Sequence, residues 1–600
     1  MKVGAIDITS SEKLSFLGRN WRSAQQDEDV VRKLQAMRQP EHIAKILVSR
    51  GVGPENLDDF LEPRIKKAMP DPFVLKDMER GAKRFAEALW AGEKIGLWSD
   101  YDVDGETSAA IMGSFLEMCG HENYVIRIPD RIKEGYGPNI PGLLSMKNDQ
   151  DCNLVAILDA GIVAFDPLDA ADQAGMEIVV IDHHIPKDHL PKAVAVINPN
   201  RRDDTSGLGY LCAAGVCFMF VAAVMRELKE TGFFDGREGR PGEVPNIFAL
   251  LDLVALGTVG DVVPLIGLNR AYVRSGLIVM NKHERIGMRA LIQAANNGEI
   301  KDVGERDCGW TLGPRINAAG RIRDSILGVQ LLLCKDAAEA AERAQELNVI
   351  NDERKAIGQK VTDAVIEQMS HRIPGVDRTL VMAVVDAAHE GVVGISAGRA
   401  KEQFSAPSIV VTHDHEGNLK GSARSVAGFD IGHAIIEAAE AGIILKGGGH
   451  GMAGGLTLAP EQVEKFTSFM NEKIEASEYF ATGYATVIDL ETAISRINVD
   501  FIESLEALRP YGTSNTEPMI LIRGARVERI DYMKEVHMRI RLQQGRSWIN
   551  APIFNVVGTP FGDKIADTVG RDVDAIGKVQ LNHYNGKTYC QFMLDDMRLA

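Results

Sequence analysis

The chain has 600 residues, of which 45% are hydrophobic and 25% charged, and its formal net charge at pH 7 is −17. Its length exceeds what one hydrophobic core usually supports, so we expect about three to five domains of ordinary globular composition. The acidic balance argues against a protein that coats nucleic acid with a basic surface, and no run of about 18 apolar residues predicts a membrane span.

Cysteine usage and the first residues indicate the compartment. The seven cysteines are scattered and form no Cys-x-x-Cys pair, which indicates reduced thiols rather than a disulfide framework or a zinc knuckle. The start, MKVGAIDITSSEK, has no apolar stretch behind a basic end and does not resemble a secretion signal. We therefore expect a cytoplasmic protein without a membrane segment.

Short apolar runs alternate with amphipathic stretches from about residue 76 onward. Residues 1–75 are charged and helical in tendency, and prolines close that segment. Beyond it, the predicted buried strands are KIGLW (94–98), YVIRI (124–128), LVAIL (154–158), IVVI (178–181) and AVAVI (193–197). Strands that alternate with helices form a parallel sheet covered on both faces, so we predict an α/β domain.

Four later segments complete the predicted architecture. Residues 226–246 are polar and contain Gly and Pro, which predicts a surface loop. Residues 336–370 contain no proline and predict one helix of roughly 50 Å at 1.5 Å per residue. A second α/β segment follows at 379–460, and strand-rich residues from about 480 predict a small β-barrel such as an OB-fold.

Three aspartates stand together in SDYDVDGETS (99–108). The strand that ends near Trp98 leads directly into Asp100, Asp102 and Asp104, and a helix is predicted after Gly105. Three carboxylates in five residues repel one another unless a cation lies among them. An acidic turn with helix capping is the alternative explanation of this motif alone.

Acidic and imidazole side chains also follow the neighbouring strands. LVAILDAG places Asp159 after a buried strand, and IVVIDHHIP places Asp182, His183 and His184 after the next. LGTVGDVVPL places Asp261 after an apolar, helical run. Because the carboxyl ends of neighbouring parallel strands converge on one crevice, we expect these side chains to meet around an ion or an ion pair.

The expected ligand set consists mainly of oxygen atoms with one or two imidazoles. Such a set suits Mn²⁺ or Mg²⁺ better than structural zinc, which prefers thiolate. Two such ions can activate a water and stabilise the leaving oxygen of a phosphate ester. A single aspartate after a strand is more often a cap, but four such motifs in this order predict a two-metal site.

The order DxDxDG, LDAG, DHH and GDVVPL resembles the DHH phosphoesterase superfamily, which includes RecJ-like exonucleases, small-nucleotide phosphodiesterases and family II inorganic pyrophosphatases. The resemblance implies five metal ligands, namely Asp102, Asp104, Asp159, His183 and Asp261. It also implies that Asp100 and Asp182 orient ligands and that His184 donates to the phosphate. The expected catalytic residues are Asp102, Asp104, Asp182, His183 and His184.

Two arginines flank a predicted small-residue turn in GPRINAAGRI (313–322). The planar guanidinium of Arg315 or Arg321 suits a phosphate better than a lysine does. Structural ion pairs with an acidic cleft wall are the alternative explanation. The string resembles a signature of RecJ-like members that the short phosphodiesterases lack, which implies phosphate contact.

Glycine-rich and polar motifs stand in the second α/β segment, GSARS (421–425) and KGGGHGMAGGL (446–456). Three glycines before a histidine let backbone N–H groups reach an anion without obstruction by Cβ, although a plain hinge would also explain them. The segment resembles the DHH-associated domain, whose GGGH loop holds nucleic-acid phosphates. On that match the substrate-binding residues are Ser422, Arg424, Gly448, Gly449 and His450.

The resemblance to RecJ-like exonucleases covers residues 76–600 and implies an OB-fold that binds single strands. Its candidate base-stacking residues are Tyr511, Tyr532, Phe554 and Tyr589. Where Gly260 stands, RecJ-like members usually carry alanine. The implied domains are a helical N-terminal extension (1–75), a DHH catalytic domain (76–335), a connecting helix (336–370), a DHH-associated substrate-binding domain (371–480) and an OB-fold-like domain (481–600).

The resemblance implies stepwise 5′-to-3′ hydrolysis of single-stranded DNA by a two-metal mechanism, in DNA repair and recombination. A single-strand-binding protein and a RecQ-type helicase are the implied protein partners. Two alternatives stay open at this point: a phosphodiesterase for short oligonucleotides or dinucleotides, and a catalytically inactive DHH-fold protein that binds nucleic acid. The long predicted helix and the β-rich tail argue against the first, and the filled ligand positions argue against the second.

Overall fold

The structure is a computed structural model that describes residues 5–7, 14–131, 133–237, 239–584 and 586–600. These residues divide into two compact units. The first unit comprises Asp58–Arg354 and Pro510–Thr516, and the second comprises the described residues up to Leu57 together with Lys355–Arg509 and Glu517–Ala600. Among the described residues, no helix is both long and apolar enough to cross a membrane.

The N-terminal residues of the second unit contain strands as well as helices. They form β1 (Ala5–Asp7), β2 (Asn20–Ala24), α1 (Glu28–Ala36) and α2 (Glu41–Ser49). β2 pairs in parallel with residues 485–488, and its Trp21 is buried in a core cluster with Leu521 and Ile576. The prediction of helical structure over 1–75 is therefore wrong for residues 20–24. Their strand partner lies far along the chain, and such tertiary context overrides local propensity.

The first unit begins with helices and strands that alternate around a parallel sheet. In chain order these are α3 (Leu57–Leu61), α4 (Ile65–Ala68), α5 (Met78–Ala91), β3 (Ile95–Ser99), α6 (Val103–Met118), β4 (Tyr124–Arg127), α7 (Ile140–Asn148), β5 (Leu154–Leu158), α8 (Phe165–Gln173), β6 (Glu177–Ile181), β7 (Ala195–Ile197) and α9 (Ala213–Glu230). The strands lie in the order β4-β3-β5-β6-β7, all parallel. The predicted strands and the parallel sheet are confirmed, and the apolar runs of β3 and β5 are buried on both faces.

Helices complete the first unit. They are α10 (Leu251–Gly260), α11 (Gly267–Met280), α12 (Ile286–Ala295), α13 (Glu305–Asp307), α14 (Gly313–Ile322) and α15 (Leu327–Leu332), with a π turn at Cys308–Leu312. The predicted loop at 226–246 begins later than expected, because residues 226–230 complete α9. Short 3₁₀ turns lie at Pro72–Val74 and Ile247–Leu250, and in the second unit at Pro460–Gln462, Ile494–Arg496 and Glu506–Leu508.

α16 (Ala337–Gln368) is one continuous helix of 32 residues. The prediction of a long helix at this place is confirmed, since no proline interrupts its backbone hydrogen bonds. Its residues up to Arg354 belong to the first unit and those from Lys355 belong to the second.

A second α/β sheet follows in the second unit, as predicted. Its segment contains β8 (Val381–Val384), α17 (Glu390–Phe404), β9 (Ser408–His413), β10 (Leu419–Arg424), α18 (Ile431–Glu440), β11 (Lys446–His450), β12 (Ala453–Leu458), α19 (Val463–Glu475), α20 (Glu478–Thr482) and β13 (Ala485–Ile488). The sheet order is β11-β12-β10-β9-β8. β8 and β9 are parallel, and the other neighbours are antiparallel.

The C-terminal part is a β-barrel. Its elements are β14 (Leu490–Glu491), α21 (Val499–Leu505), β15 (Ile520–Met533), β16 (His537–Gln544), β17 (Ser547–Ile553), α22 (Pro560–Ala566), β18 (Asp572–Tyr584) and β19 (Lys587–Leu599). β15 pairs with both β16 and β18, which closes the sheet. The predicted OB-like barrel is confirmed, and its alternating pattern buries Ile540 and Leu542 while neighbouring arginines are half-exposed.

Two glycines of α10 let this helix approach α6 closely. A Cβ built on Gly257 would overlap Oγ1 of Thr107, and a Cβ built on Gly260 would overlap Cγ1 of Val103. Val103 is buried and stands between two predicted metal ligands, and Gly260 precedes a third. The methyl group of Val103 therefore occupies the space that an alanine at 260 would need.

We expect Gly260→Ala to destabilise the protein by about 1–3 kcal/mol, because it overpacks a buried contact. The double variant Val103→Ala/Gly260→Ala should recover part of that loss, since the deleted methyl groups free space for the new one. Thermal unfolding measures both variants. Gly398→Ala is the control, because a Cβ at this helical glycine meets nothing within 4 Å. A Gly260→Ala protein as stable as the wild type would contradict this account of the packing.

Candidate metal centre

Asp102 organises the turn between β3 and α6. As the N-cap of α6, its side chain accepts hydrogen bonds from the N–H groups of Asp104 (3.0 Å) and Gly105 (3.2 Å). Asp100 follows β3 directly and is buried. A Cβ at Gly105 would overlap the backbone of Asp100, so the turn requires glycine there. This tight turn brings the three predicted carboxylates close together.

Asp104 belongs to α6, and its fully buried carboxylate lies at the N-terminus of α9. Its two oxygens accept hydrogen bonds from the backbone N–H groups of Ala213 (2.7 Å) and Ala214 (2.9 Å). The first turn of a helix presents unpaired N–H groups and a partial positive charge. The helix end therefore fixes the orientation of this carboxylate.

His183 brings together three acids that stand far apart in sequence. Its Nε2 lies 3.3 Å from Oδ1 of Asp159, 3.6 Å from Oδ2 of Asp261 and 3.8 Å from Oδ2 of Asp104. Asp159 has a φ of 56°, in the left-handed region that few non-glycine residues adopt. Asp261 is the C-cap of α10. The four sequence motifs therefore converge as predicted.

The potential ligand atoms form three overlapping groups, each within 4.8 Å. The groups are Asp104, His183 and Asp261; Asp159, His183 and His184; and Asp100, Asp102 and Asp159. Asp159 and His183 each belong to two groups. The residues present therefore offer neighbouring positions for more than one ion.

Burial and mutual repulsion oppose ionisation of these carboxylates. Burial, followed by the charges of two neighbouring aspartates, raises the pKa of Asp261 to about 9. Burial and acidic neighbours raise the pKa values of Asp159 and Asp100 well above the usual range. Burial lowers the pKa of His183, which favours the neutral imidazole that a metal ion requires.

The donor set fits hard divalent cations. Oδ1 of Asp100, Oδ1 of Asp159 and Oδ2 of Asp261 are buried and have no hydrogen-bond partner among the described residues. A bound cation would satisfy these oxygens and reverse the repulsion between them. Carboxylate oxygens with a single imidazole suit Mn²⁺ or Mg²⁺.

His184 is held by Asp182 beside the ligand cluster. Its Nδ1 lies 2.8 Å from Oδ1 of Asp182, which also accepts the N–H groups of His183 (2.7 Å) and His184 (3.0 Å). Burial alone would lower the pKa of His184, but the hydrogen bond and the charge of Asp182 raise it to about 9. Burial alone would raise the pKa of Asp182, but its bonds to His184 lower it to about 2. The result is a charged imidazole at neutral pH.

Three residues of this region were missed by sequence reasoning. The hydroxyl of Tyr136 donates to the carbonyl of Asp159 (3.2 Å) and lies 3.1 Å from Nδ1 of His184. Nδ2 of Asn198 donates to the carbonyl of His184 (2.9 Å), and Nδ2 of Asn200 donates to the carbonyl of His183 (2.5 Å). Both asparagines follow β7, so their place at the carboxyl end of a strand is the signal that could have identified them.

The GPRINAAGRI segment is helix α14, so the predicted small-residue turn is wrong. Pro314 stands in the first turn of this helix, where its missing N–H costs no hydrogen bond. Arg315 is buried and donates to the carbonyl of Thr311 (2.6 Å) and to Oδ1 of Asn348 (3.0 Å). Arg321 is half-buried in the last turn. Phosphate contact by either arginine stays a prediction.

KGGGH is the edge strand β11, so the predicted loop is wrong. A Cβ at Gly449 would overlap the backbone of Ala453 on the paired strand β12, and this close approach favours a glycine-rich hairpin. Directly opposed residues form two rows across the sheet, Ser422, Gly455 and Gly448 in one and Arg424, Ala453 and His450 in the next. Opposed side chains share a face. The structure thus aligns Ser422 with Gly448 and Arg424 with His450, whereas Gly449 lies between these rows, and the binding role of all five residues stays a prediction.

The aromatic candidates divide between the two units. Tyr532, Phe554 and Tyr589 are exposed on barrel strands or next to them. Tyr511 lies in the first unit, where its N–H donates to Oε1 of Glu305 (3.0 Å), so its expected place in the barrel is wrong. Residues 510–516 belong to the first unit although they precede the barrel in sequence.

Trp548 on β17 is a further exposed aromatic, which sequence reasoning missed. The guanidinium of Arg541 lies 3.8 Å from its ring centroid. The period-two burial of the paired strands places both side chains on the outer face. The alternation in HMRIRL and SWIN is the sequence signal that could have identified it.

Three family models match the chain. They are the DHH family, N-terminal domain, at residues 94–258, the DHHA1 domain at residues 377–476 and the RecJ OB domain at residues 488–596. Their order agrees with the resemblance stated from the motifs.

Curated relatives match over nearly the whole chain. The single-stranded-DNA-specific exonuclease RecJ of Bacillus subtilis is 32% identical over 588 residues, which cover 97% of this chain and 71% of the relative. That of Salmonella typhimurium is 32% identical over 570 residues, which cover 93% of this chain and 96% of the relative. The RecJ of Escherichia coli is 31% identical over 579 residues, which cover 93% of this chain and 96% of the relative.

Solved structures share the fold. The crystal structure of Thermus thermophilus RecJ with Mn²⁺ has a TM-score of 0.77 at 24% identity and covers 97% of this chain and 79% of its own. A structure of exonuclease RecJ bound to manganese has a TM-score of 0.54 at 28% identity and covers 68% of this chain and 95% of its own. Given these matches and the convergent DHH motifs, the chain belongs to the RecJ family of the DHH superfamily.

Proposed function

We propose that this chain is a single-stranded-DNA-specific exonuclease that removes nucleotides from the 5′ end with two divalent ions, Mn²⁺ or Mg²⁺. The observation that carries the proposal is the convergence of Asp104, Asp159 and Asp261 on Nε2 of His183. Relatives named single-stranded-DNA-specific exonucleases support the substrate class. The 5′-to-3′ polarity and the role in DNA repair and recombination rest on the resemblance to RecJ-like exonucleases.

The ligands in this proposal are Asp102, Asp104, Asp159, His183 and Asp261. Two divalent ions bound there would supply an activated water and neutralise charge on the leaving oxygen of the phosphodiester. The chain contributes the preorganisation of the ligands. The N-terminus of α9 orients Asp104, the left-handed backbone orients Asp159, and the side chain of Asn200 holds the backbone of His183.

His184 would donate a hydrogen bond to the phosphate as negative charge develops in the transition state. Asp182 occupies its Nδ1, so Nε2 can face a phosphate oxygen. The raised pKa favours the charged imidazole at neutral pH. A charged donor forms a stronger hydrogen bond to an anionic phosphate than a neutral donor does. Tyr136 packs edge-on against the ring and limits its rotation.

Substrate binding away from the reacting phosphate would use two further groups of residues. In the first unit these are Arg315 and Arg321, and in the second they are Ser422, Arg424, Gly448, Gly449 and His450. The side chains of Ser422 and Arg424 both approach Gly394 of α17, where a Cβ would lie 3.2 Å from Oγ and 3.1 Å from Nη2. Such a compact polar group beside glycine backbone suits a phosphate.

The proposed setting is the cytoplasm, with a single-strand-binding protein and a RecQ-type helicase as partners. Scattered free cysteines support the compartment. The partners rest on the resemblance to RecJ-like exonucleases alone. Affinity measurements with each purified partner test them, and the absence of binding would remove them from the proposal.

The activity is tested by digestion of a single strand labelled at either its 5′ or its 3′ end. With Mn²⁺, we expect immediate release of a labelled mononucleotide from the 5′ label, late loss of the 3′ label and no release in chelator. A duplex and a dinucleotide serve as competing substrates. Release from the 3′ end, or faster turnover of the dinucleotide than of the long strand, would contradict the proposal.

Asp159→Asn should separate activity from stability. Asparagine tolerates the left-handed conformation but lacks the charge of a ligand carboxylate. Loss of a group that only orients a ligand lowers activity by about 10–100-fold. Because Asp159 is itself a predicted ligand, we expect a larger fall in turnover. Without metal, the variant should be at least as thermally stable as the wild type, since an acid with a raised pKa destabilises the fold at neutral pH.

Added Mn²⁺ should raise the Tm of the wild type more than that of Asp159→Asn. Asp166→Asn, an exposed acid on α8, is the matched control and should behave like the wild type. Wild-type turnover by Asp159→Asn would end this ligand assignment.

The role of His184 predicts a pH dependence. Asp182 raises the pKa of His184, so activity that needs the proton on His184 should fall as pH rises through that pKa. Asp182→Asn removes the charge that raises this pKa, so the alkaline limb of kcat should move to lower pH. The pH–rate profiles of both proteins decide this, with thermal unfolding as a check of the fold. An unshifted alkaline limb would refute the role.

A further inference from the structure

Trp310 is the most exposed large hydrophobic side chain that the structure describes, at 81% exposure. It is one of five tryptophans, and Trp21 and Trp98 are almost fully buried. Tryptophan is on average a strongly buried residue, because its ring is large and apolar. The indole of Trp310 is therefore accessible to a flat aromatic or apolar ligand.

Hydrogen bonds hold the backbone segment that carries Trp310. Cys308–Leu312 form a π turn, which the N–H of Gly313 closes by donating to the carbonyl of Cys308. Arg315 reaches back from α14 and donates to the carbonyl of Thr311 at 2.6 Å. π turns are frequent at functional sites. The buried guanidinium thus braces the residue next to the exposed indole.

Residues on both sides of Trp310 in sequence contact the helices α10 and α6, whose ends carry predicted metal ligands. A Cβ at Gly309 would lie 3.4 Å from Cγ1 of Val259, two residues before Asp261. Farther along, Oδ1 of Asn317 accepts the N–H of Val103 at 2.8 Å, between Asp102 and Asp104. The residues that flank Trp310 in sequence are therefore packed against the helices α10 and α6, which carry predicted ligands at their ends.

A strained apolar residue lies next to one of the predicted ligands. Val262 directly follows Asp261, has a φ of 60° and is 69% exposed. A β-branched residue in the left-handed region is an outlier whose strain the surroundings must support. Here Oγ1 of Thr513 donates to its carbonyl at 2.7 Å. The protein thus exposes an apolar side chain directly after the predicted ligand Asp261, in addition to the exposed Trp310.

We propose that Trp310 stacks on a base of the single strand next to the phosphodiester at the metal centre. This inference rests on the proposed function and adds a contact to bases, which the carboxylates and arginines do not provide. An indole face stacks on any base, so the contact carries no sequence preference. A ring on a braced turn loses little conformational freedom when it binds.

Kinetics of Trp310→Ala and Trp310→Phe test the inference. Loss of one stacked base costs about 1–3 kcal/mol, so Trp310→Ala should raise KM by roughly 5- to 150-fold with little change in kcat. Trp310→Phe should retain most of the affinity. Ile278→Ala is the control, because Ile278 is an exposed apolar residue on α11 (63% exposure), and this variant should leave KM unchanged. Thermal unfolding should show no loss of stability in any of the three variants.

A stable abasic analogue, moved one position at a time along a 5′-phosphorylated strand, locates the contact. One position should raise KM for the wild type but not for Trp310→Ala, because the missing base and the missing indole remove the same interaction. An unchanged KM of Trp310→Ala, or an equal penalty at every abasic position, would overturn the inference and leave the exonuclease intact. A wild-type protein that digests no single strand would overturn the proposed function and this contact with it.

Discussion

Repulsion between buried carboxylates is the interaction on which this site depends. Asp100, Asp159 and Asp261 each carry a buried oxygen without a hydrogen-bond partner among the described residues, and their pKa values are raised. A divalent cation among these oxygens would compensate the repulsion, as is typical of carboxylates clustered in functional sites. The same geometry that costs stability without a cation would therefore give the cluster affinity for divalent ions, and bound ions would add to the stability of the protein.

The parallel sheet brings these charges together. Asp100, Asp159 and His183 follow β3, β5 and β6 at one edge of the sheet, and α9 directs its N-terminus at Asp104. Asp261 reaches the same place from the end of α10, which must approach α6 closely to do so. The packing of Gly260 against Val103 thus helps to position the ligand Asp261 as well as to fill the core.

The residues at the carboxyl ends of the strands could be predicted from sequence, because these ends lie together in a parallel sheet. Asp159 and His183 needed only the strand pattern and that rule. GPRINAAGRI and KGGGH were assigned to a turn and a loop, because glycine and proline suggest turns, whereas α14 tolerates a proline in its first turn and β11 needs glycine for close strand pairing. The strand at Asn20–Ala24 depends on a partner that no local pattern reveals. Trp310 had no motif to mark it, since exposure and a π turn are visible only in the fold.

The most direct test of the account is a crystal grown or soaked with Mn²⁺ and measured at the manganese absorption edge. The account predicts two anomalous peaks, both ligated by the cluster of Asp102, Asp104, Asp159, His183 and Asp261. Side chains that point apart around this position, with no anomalous density between them, would contradict it.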